Sequence, residues 1–374
     1  MFVERSKEES EQRVLDGTLW EEFCDQLKLA GSIINRESSP DGALDRAEGY
    51  RYLSRMLRAA LETFVENSDP MAPSLGRVVH ETAKMGADNP DNRYFNAPLR
   101  SDQDYVIRGN RGSVHYLAFA TQVGHYGRSG GMPPTGFIEA KDMRFEADGS
   151  FELVISQQPR PGNWLPMTAD TGTLIIRQTF LDHVNEVPAE LSLALLNQAA
   201  QPGLLTPERI DQGLSQSSAL VLGAAALFAS WAEGFQAHTN QLPEFSAETS
   251  RAFGGDPNIT YYHSYWRLEP HQALVIETPV PDCDAWNFQL NNHWMESLDY
   301  RYFTIHVNKH TARYEADGSV RIVVAHRDPS CPNWINTCGH DRGTMCFRWV
   351  RAEATPQPRT RVVDLSQLAQ ELAK

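Results

Sequence analysis

Glu146-Ala147-Asp148-Gly149-Ser150 returns letter for letter as Glu315-Ala316-Asp317-Gly318-Ser319. Downstream of the first copy come Asn163-Trp164, then Asp170, Gly172, Thr173 and Arg177. Downstream of the second come Asn333-Trp334, then Asp341, Gly343, Thr344 and Arg348. The separation grows from 169 (Glu146 to Glu315) through 170 (Asn163 to Asn333) to 171 (Arg177 to Arg348), so single-residue insertions align the copies. Upstream, Val106-Ile107 matches Val275-Ile276. Asp-Gly is a hairpin signal, because glycine tolerates the positive φ that tight turns require. In each copy it precedes an alternating strand (151–156 or 320–326), a loop, Asn-Trp and a second apolar strand ending in Arg. A period this long, occurring twice, is a domain duplication rather than a solenoid.

The duplication predicts an α+β fold: two antiparallel β-sandwich, jelly-roll-like domains with N-terminal and interdomain helices. Residues 1–100 read as an N-terminal helical region, 101–182 as the first sandwich, 183–258 as an interdomain helical segment and 259–374 as the second sandwich with a C-terminal helix. Within 10–36, Leu15, Leu19, Trp20, Phe23, Leu27, Ala30 and Ile34 recur at helical spacing. Asp41 or Asp45 caps a second helix through Tyr50, Leu53, Leu57, Leu61 and Phe64. Residues 89–100, rich in Asn, Asp and Pro, read as loop. Thr206-Pro207-Glu208 starts a further helix that ends near Asn240. Its apolar window, 219–229, falls short of the roughly 20 residues that span a bilayer and reads as a buried helix.

The chain has 374 residues, with 48 acidic against 34 basic side chains and a net charge of -14. Such a surface repels phosphate backbones, which argues against nucleic acid as a partner. The charged N-terminus lacks the apolar stretch of an export signal, and five scattered cysteines read as free thiols. The expected location is the cytoplasm, with no membrane partner.

Asn163-Trp164-Leu165-Pro166 with Arg177, and Asn333-Trp334-Ile335-Asn336 with Arg348, which lacks the proline, resemble a motif of known bacterial proteins. These are the proteins of the paired domains of unknown function numbered twelve-fourteen and twelve-fifty-four. The resemblance covers the C-terminal third and, more loosely, residues 100–180. It implies paired jelly-roll-like sandwiches with helices between them, and carries no activity.

Residues shared by both copies read as structural, since both copies must fold. Asn333, Trp334 and Thr344 are therefore expected in turns and core; Arg177 and Arg348 must either snorkel or find a carboxylate, with structural pairing the first reading and a functional role left open. The second copy gains polarity: His326-Arg327-Asp328-Pro329 stands where the first has Gln157-Gln158-Pro159, and Gly339-His340-Asp341 where it has Thr168-Ala169-Asp170. Five of the twelve histidines (His293, His306, His310, His326, His340) lie in this region. Strand parity over 286–294 puts Trp286, Phe288, Leu290 and Trp294 on one face and Asn287, Gln289, Asn291 and His293 on the other. Over 302–310 the core face is Phe303, Ile305 and Val307, with Thr304, His306, Asn308 and His310 opposite. If the two strands are neighbours, they form a polar face suited to a hydroxyl-bearing ligand, or else a solvated outer face.

His326 ends an inward row, and beside Asp328 it is the candidate base; Glu296 or His293 is the complementary acid. Otherwise it is a satisfied rim residue. Asn291, Asn292, Asn308, Tyr300, Arg301 and His340 are the candidate binding groups. His306 and His310 lie about 13 Å apart on a strand, and no cysteine pair has zinc-knuckle spacing, so neither metal nor cofactor is expected. The glycine-rich run 124–131 reads as a lid or turn, and Ser215, Ser217 and Ser218 as helical residues in no nucleophile elbow.

The expected function is a cofactor-independent acid–base hydrolase or lyase acting on a hydroxylated or glycosidic small molecule in catabolism. The alternatives are a non-catalytic carbohydrate or small-molecule binding protein, and a metalloenzyme using the C-terminal histidines. A small molecule is the expected partner; the oligomeric state, homo-oligomer included, is open.

Overall fold

Ser6 and Glu9 cap each other's amides, and this reciprocal box starts helix α1 (Lys7–Asp16). The computed structural model describes residues 5–127 and 131–372. Gly17, at φ +82°, ends α1 in the left-handed conformation that glycine adopts without strain, and α2 (Thr18–Ile34) starts anew. The single helix expected over 10–36 is therefore two. Leu19, Phe23, Ala30 and Ile34 are buried, while Leu15 and Trp20 stay exposed. Helix α3 (Ala43–Leu61) begins at Gly42 without a side-chain cap, so neither Asp41 nor Asp45 caps it. It continues as a π-turn (Glu62–Glu66).

The first sandwich comprises β1 (Asn92–Pro98), β2 (Tyr105–Asn110), β3 (Tyr116–Gln122), β4 (Pro134–Glu139), β5 (Ser150–Ser156), β6 (Asn163–Pro166), β7 (Thr173–Thr179) and β8 (Glu190–Leu195). Its sheets are ordered β1-β7-β3-β4 and β6-β5-β2-β8. Helices α4 (Pro207–Phe235) and α5 (Ala247–Ala252) follow. The second sandwich comprises β9 (Ile259–Arg267), β10 (Gln272–Thr278), β11 (Ala285–Leu290), β12 (His306–Asn308), β13 (Val320–Ala325), β14 (Trp334–Asn336), β15 (Arg342–Val350) and β16 (Arg359–Asp364), and α6 (Leu368–Leu372) closes the described chain. Its sheets are β9-β15-β11-β12 and β14-β13-β10-β16. Strand for strand the order repeats, including the parallel pairs β5/β6 and β13/β14. The duplication is present in the fold.

Both Glu-Ala-Asp-Gly-Ser runs make the same turn: Gly149 and Gly318 share φ +82°, and the 146–150 and 315–319 backbone bonds are both 2.9 Å. Each sandwich buries one apolar core between its sheets, around Ile107, Phe119, Leu153 and Ile176 in the first and Ile276, Phe288, Ile322 and Phe347 in the second. Two expectations are corrected here. Residues 92–98 are strand β1 rather than loop: it pairs along β7 and alternates Phe95 and Ala97 inward with Tyr94 and Asn96 outward, so tertiary pairing overrides composition. The closing helix, read from the sequence as starting at Val362, starts only at Leu368, because Arg359–Asp364 is strand β16 paired with β10.

Thr206 caps α4 as expected, accepting from the Arg209 amide. The span Pro207–His238, 32 residues, is long and apolar enough to cross a membrane by length and composition. That is longer than its apolar window alone indicates. In the structure Leu220, Val221, Ala224, Phe228 and Ala232 pack against Ala30, Ile34, Tyr52 and Met56 of α2 and α3. The helical layer so formed also seats Trp294 and Cys346 of the second sandwich.

Candidate functional site

The polar residues gained by the second copy hold elements together. Among the described residues His326 pairs with no carboxylate: Nδ1 meets Thr337 Oγ1 at 2.9 Å and Nε2 meets the Leu268 carbonyl at 3.2 Å. Asp328 instead accepts from the Ser330 amide at 2.8 Å, because a turn two residues long captures its carboxylate locally. The base expected from these two side chains is not assembled. Glu296 is buried and accepts from Arg55 at 2.7 Å and Asn292 at 3.0 Å, and burial pushes its carboxyl upward. His293 lies against the Tyr265 hydroxyl at 3.1 Å, pushed down to about 3 by burial and therefore neutral.

His340 meets Glu48 of α3 at 2.7 Å, and Asp299 chelates Arg301. Lys84 sits over the Tyr300 ring at 4.4 Å. Strands β11 and β12 are neighbours, pairing Asn287 with Asn308 and Gln289 with His306. Their polar face is neither solvated nor open, because residues 87–91 cover it. Asn287 donates to Asn89 and Asp91, Gln289 donates to the Asp88 carbonyl and to Asn291, and Asn308 donates to Asp91. Of the ten residues expected to form the site, none lines the large cavity described below.

Asp91, which the sequence did not single out, is the centre of this seam. Its Oδ1 accepts from His306 Nε2 at 3.1 Å, His183 Nε2 at 3.2 Å and Asn308 at 2.9 Å. Burial would raise its carboxyl, but the His306 charge and these bonds outweigh burial and hold it well below the usual range. Asp91, His183 and His306 offer ligand atoms within 4.8 Å of one another and are, among the described residues, the group able to hold a metal. The four N–H donors already account for their arrangement.

The cavity, of about 820 Å³, lies between the outer faces of β1-β7-β3 and β9-β15, with α4 and the π-turn closing it. Phe64, Tyr126, Phe228, Trp231, Phe245 and Phe253 form much of its wall. Its polar groups come from both copies. Arg177 on β7 is opposite Tyr94 on β1, and Arg348 on β15 is opposite Tyr261 on β9. These are equivalent strands, so each copy supplies one arginine beside one tyrosine. The next strand differs: Ala118 neighbours Arg177, whereas Asn287 neighbours Arg348.

Both arginines are buried, 9% and 4% exposed. Among the described residues no carboxylate oxygen lies within 4.0 Å of either, which corrects the expected pairing. Arg177 donates from Nη2 to the Gly254 carbonyl at 2.6 Å. Arg348 donates to Asn287 at 3.2 Å, to Gln289 at 2.6 Å and to the Ala87 carbonyl. His263, also on the cavity wall, stacks between Phe235 and Tyr261, and burial pushes it down to about 3. Gln122 Oε1, Asn92 Oδ1 and His263 Nδ1 are buried without a hydrogen-bond partner among the described residues, and all three residues line the cavity.

Sequence reading missed Tyr94, Gln122 and His263. Parity along β1 and β9 was the available signal for Tyr94 and His263, and the loop reading of 89–100 hid half of it; Gln122 ends β3, which is buried along its whole length. Residues 128–130 of the glycine-rich run lie outside the described residues; His125 and Tyr126, within it, line the cavity.

An uncharacterized protein from Burkholderia cenocepacia, known from its crystal structure, is 49% identical to this chain. The match covers 95% of this chain and 99% of that one, with a TM-score of 0.93. This chain belongs to the same family. A family profile described as "Protein of unknown function (DUF1214)" matches residues 134–179 and 267–354, one segment in each half. The VPA0106 protein from Vibrio parahaemolyticus is 12% identical over 91% of this chain and 100% of that one, with a TM-score of 0.48. No curated protein matches the chain.

Proposed function

We propose that this protein binds a small organic molecule in the cavity between its two sandwiches and its helical layer. The carrying observation is the set of buried atoms Gln122 Oε1, Asn92 Oδ1 and His263 Nδ1, unpartnered among the described residues, on a wall that also carries Phe64, Phe228, Trp231, Phe245 and Phe253. Buried polar atoms are satisfied in all but a few cases, so three on one wall point to a ligand that supplies their partners. The volume is within the roughly 300–1,000 Å³ of small-molecule sites. The expected pairing with a domain numbered twelve-fifty-four belongs to the same proposal.

The test is a thermal-shift screen of sugars, steroids and aromatic acids against the full chain and the cavity-filling variant Ile175→Trp. The expected result is a stabilising hit lost in the variant. Hits that bind Ile175→Trp equally well would place the ligand elsewhere.

Acid–base turnover of that molecule, by a hydrolase or lyase, is the second reading. His263 Nδ1, buried on the cavity wall and unpartnered among the described residues, is the group placed to hydrogen-bond such a ligand, although burial makes its imidazole a weak base. Product analysis of each hit by mass spectrometry separates the two readings. Unchanged ligand after prolonged incubation leaves binding alone.

A further inference from the structure

Arg177 and Arg348 are nearly fully buried charges. Three other buried or partly buried arginines face carboxylates: Arg55 faces Glu296, Arg321 faces Glu277 and Arg13 faces Asp211. These two face none within 4.0 Å among the described residues. A guanidinium does not deprotonate in a protein, so burial cannot be relieved by losing the charge. Leaving it unpaired is strongly unfavourable, and a fold that keeps two such groups uses them.

The acidic side chains whose charges reach them are committed elsewhere. Asp256, which acts on Arg177, accepts from the Tyr116 hydroxyl at 2.9 Å and the Asn258 amide at 3.0 Å. Asp88, which acts on Arg348, accepts from the Ser297 amide at 2.9 Å and its hydroxyl at 2.8 Å. Both arginines, and the tyrosines beside them on β1 and β9, line the same cavity. Each guanidinium carries five N–H donors. Arg177 uses one, on Gly254, and Arg348 spends its bonds on two amide oxygens and one backbone carbonyl, none of which neutralises it.

Resting on the cavity reading, we propose that the ligand is an organic oxyanion. Its anionic group is held between Arg177 and Arg348, and its apolar body lies against Phe228, Trp231, Phe245 and Phe253. Two guanidinium forks suit the planar, bidentate geometry of a carboxylate and also match a phosphoryl group. The duplication explains the pair: each copy places its strand-ending arginine on the outer face of an equivalent sheet, and both faces border one cavity.

The probes are benzoate, phenylacetate and cinnamate, each beside its neutral primary amide, with phenyl phosphate to distinguish a phosphoryl source. Binding to the full chain is measured by calorimetry. Carboxylates or the phosphate are expected to bind about 100-fold tighter than the amides, and Arg177→Gln to lose most of that difference. Because Arg348 also braces residues 87–91, Arg177 carries the decisive substitution, and Arg177→Lys is expected to restore part of the affinity. Unliganded Arg177→Met is expected to melt no lower than wild type, since it removes an unpaired charge; a structural ion pair would give a lower melting temperature. Amides that bind as tightly as the acids, or anions that bind Arg177→Gln unchanged, would overturn the proposal. So would failure of every anion to bind at millimolar concentration. If amides bind and Ile175→Trp blocks them, the cavity reading stands and only the oxyanion falls.

Discussion

Asn163 and Asn333 show what a shared residue does in each copy. Asn163 donates to the carbonyls of Arg144 and Glu152 and accepts from the Arg144 amide; Asn333 does the same with Arg313 and Arg321. One amide side chain thereby staples a loop to a strand using three hydrogen bonds. Asn333 also holds φ +53°, a conformation that asparagine tolerates better than most residues. Asn163→Ala is expected to cost about 1–2 kcal/mol and Asn333→Ala about 2–3 kcal/mol, because only the second adds backbone strain to the lost bonds. Urea denaturation checks the order. At this scale the duplication classed Asn333 correctly, whereas Arg177 and Arg348, shared in the same way, line the cavity. The rule fails where two copies border one space.

Between elements, Glu48 of α3 and His340 of the β14–β15 loop tie the helical layer to the second sandwich at 2.7 Å. Burial lowers the His340 value, but the hydrogen bond and charge of Glu48 outweigh it and leave it raised. Burial raises Glu48, but His340 and Arg51 outweigh that and leave it lowered. The raised histidine contributes stability that is complete below its unfolded value of 6.5 and is lost as pH climbs through its folded value. The lowered carboxyl contributes stability that is complete above 4.5 and is lost as pH falls through its folded value. The pair is thus fully effective between about pH 4.5 and 6.5. His340→Gln is expected to remove the decline above pH 6.5 that this pair produces, as read from melting temperature against pH. An alkaline limb identical to that of wild type would contradict the assignment. Strand β1 belongs to this scale too: its Asn-rich outer face is polar because it borders a cavity, and composition cannot tell that from solvent.

Across the whole molecule, the seam at Asp91 joins residues before β1 and after β7 to β11 and β12. Asp91→Asn turns an acceptor of four N–H groups into a side chain with donors of its own, and is expected to cost on the order of 3 kcal/mol. With that seam intact the halves are expected to unfold together, as one calorimetric transition whose measured and van't Hoff enthalpies agree; two resolved transitions in wild type would show the seam to be weak. By itself the sequence determined the duplication, the hairpins at Gly149 and Gly318, and the alternation that makes each sandwich, because these depend on local turn chemistry and a period of two. Only the tertiary structure decided where the polar residues went. His293, Glu296, His326 and His340 found partners inside the fold, while Arg177, Arg348, Gln122 and His263, from strands far apart in the chain, met at one cavity. Whether a charge is satisfied depends on neighbours brought from other elements, and no spacing along the chain encodes that.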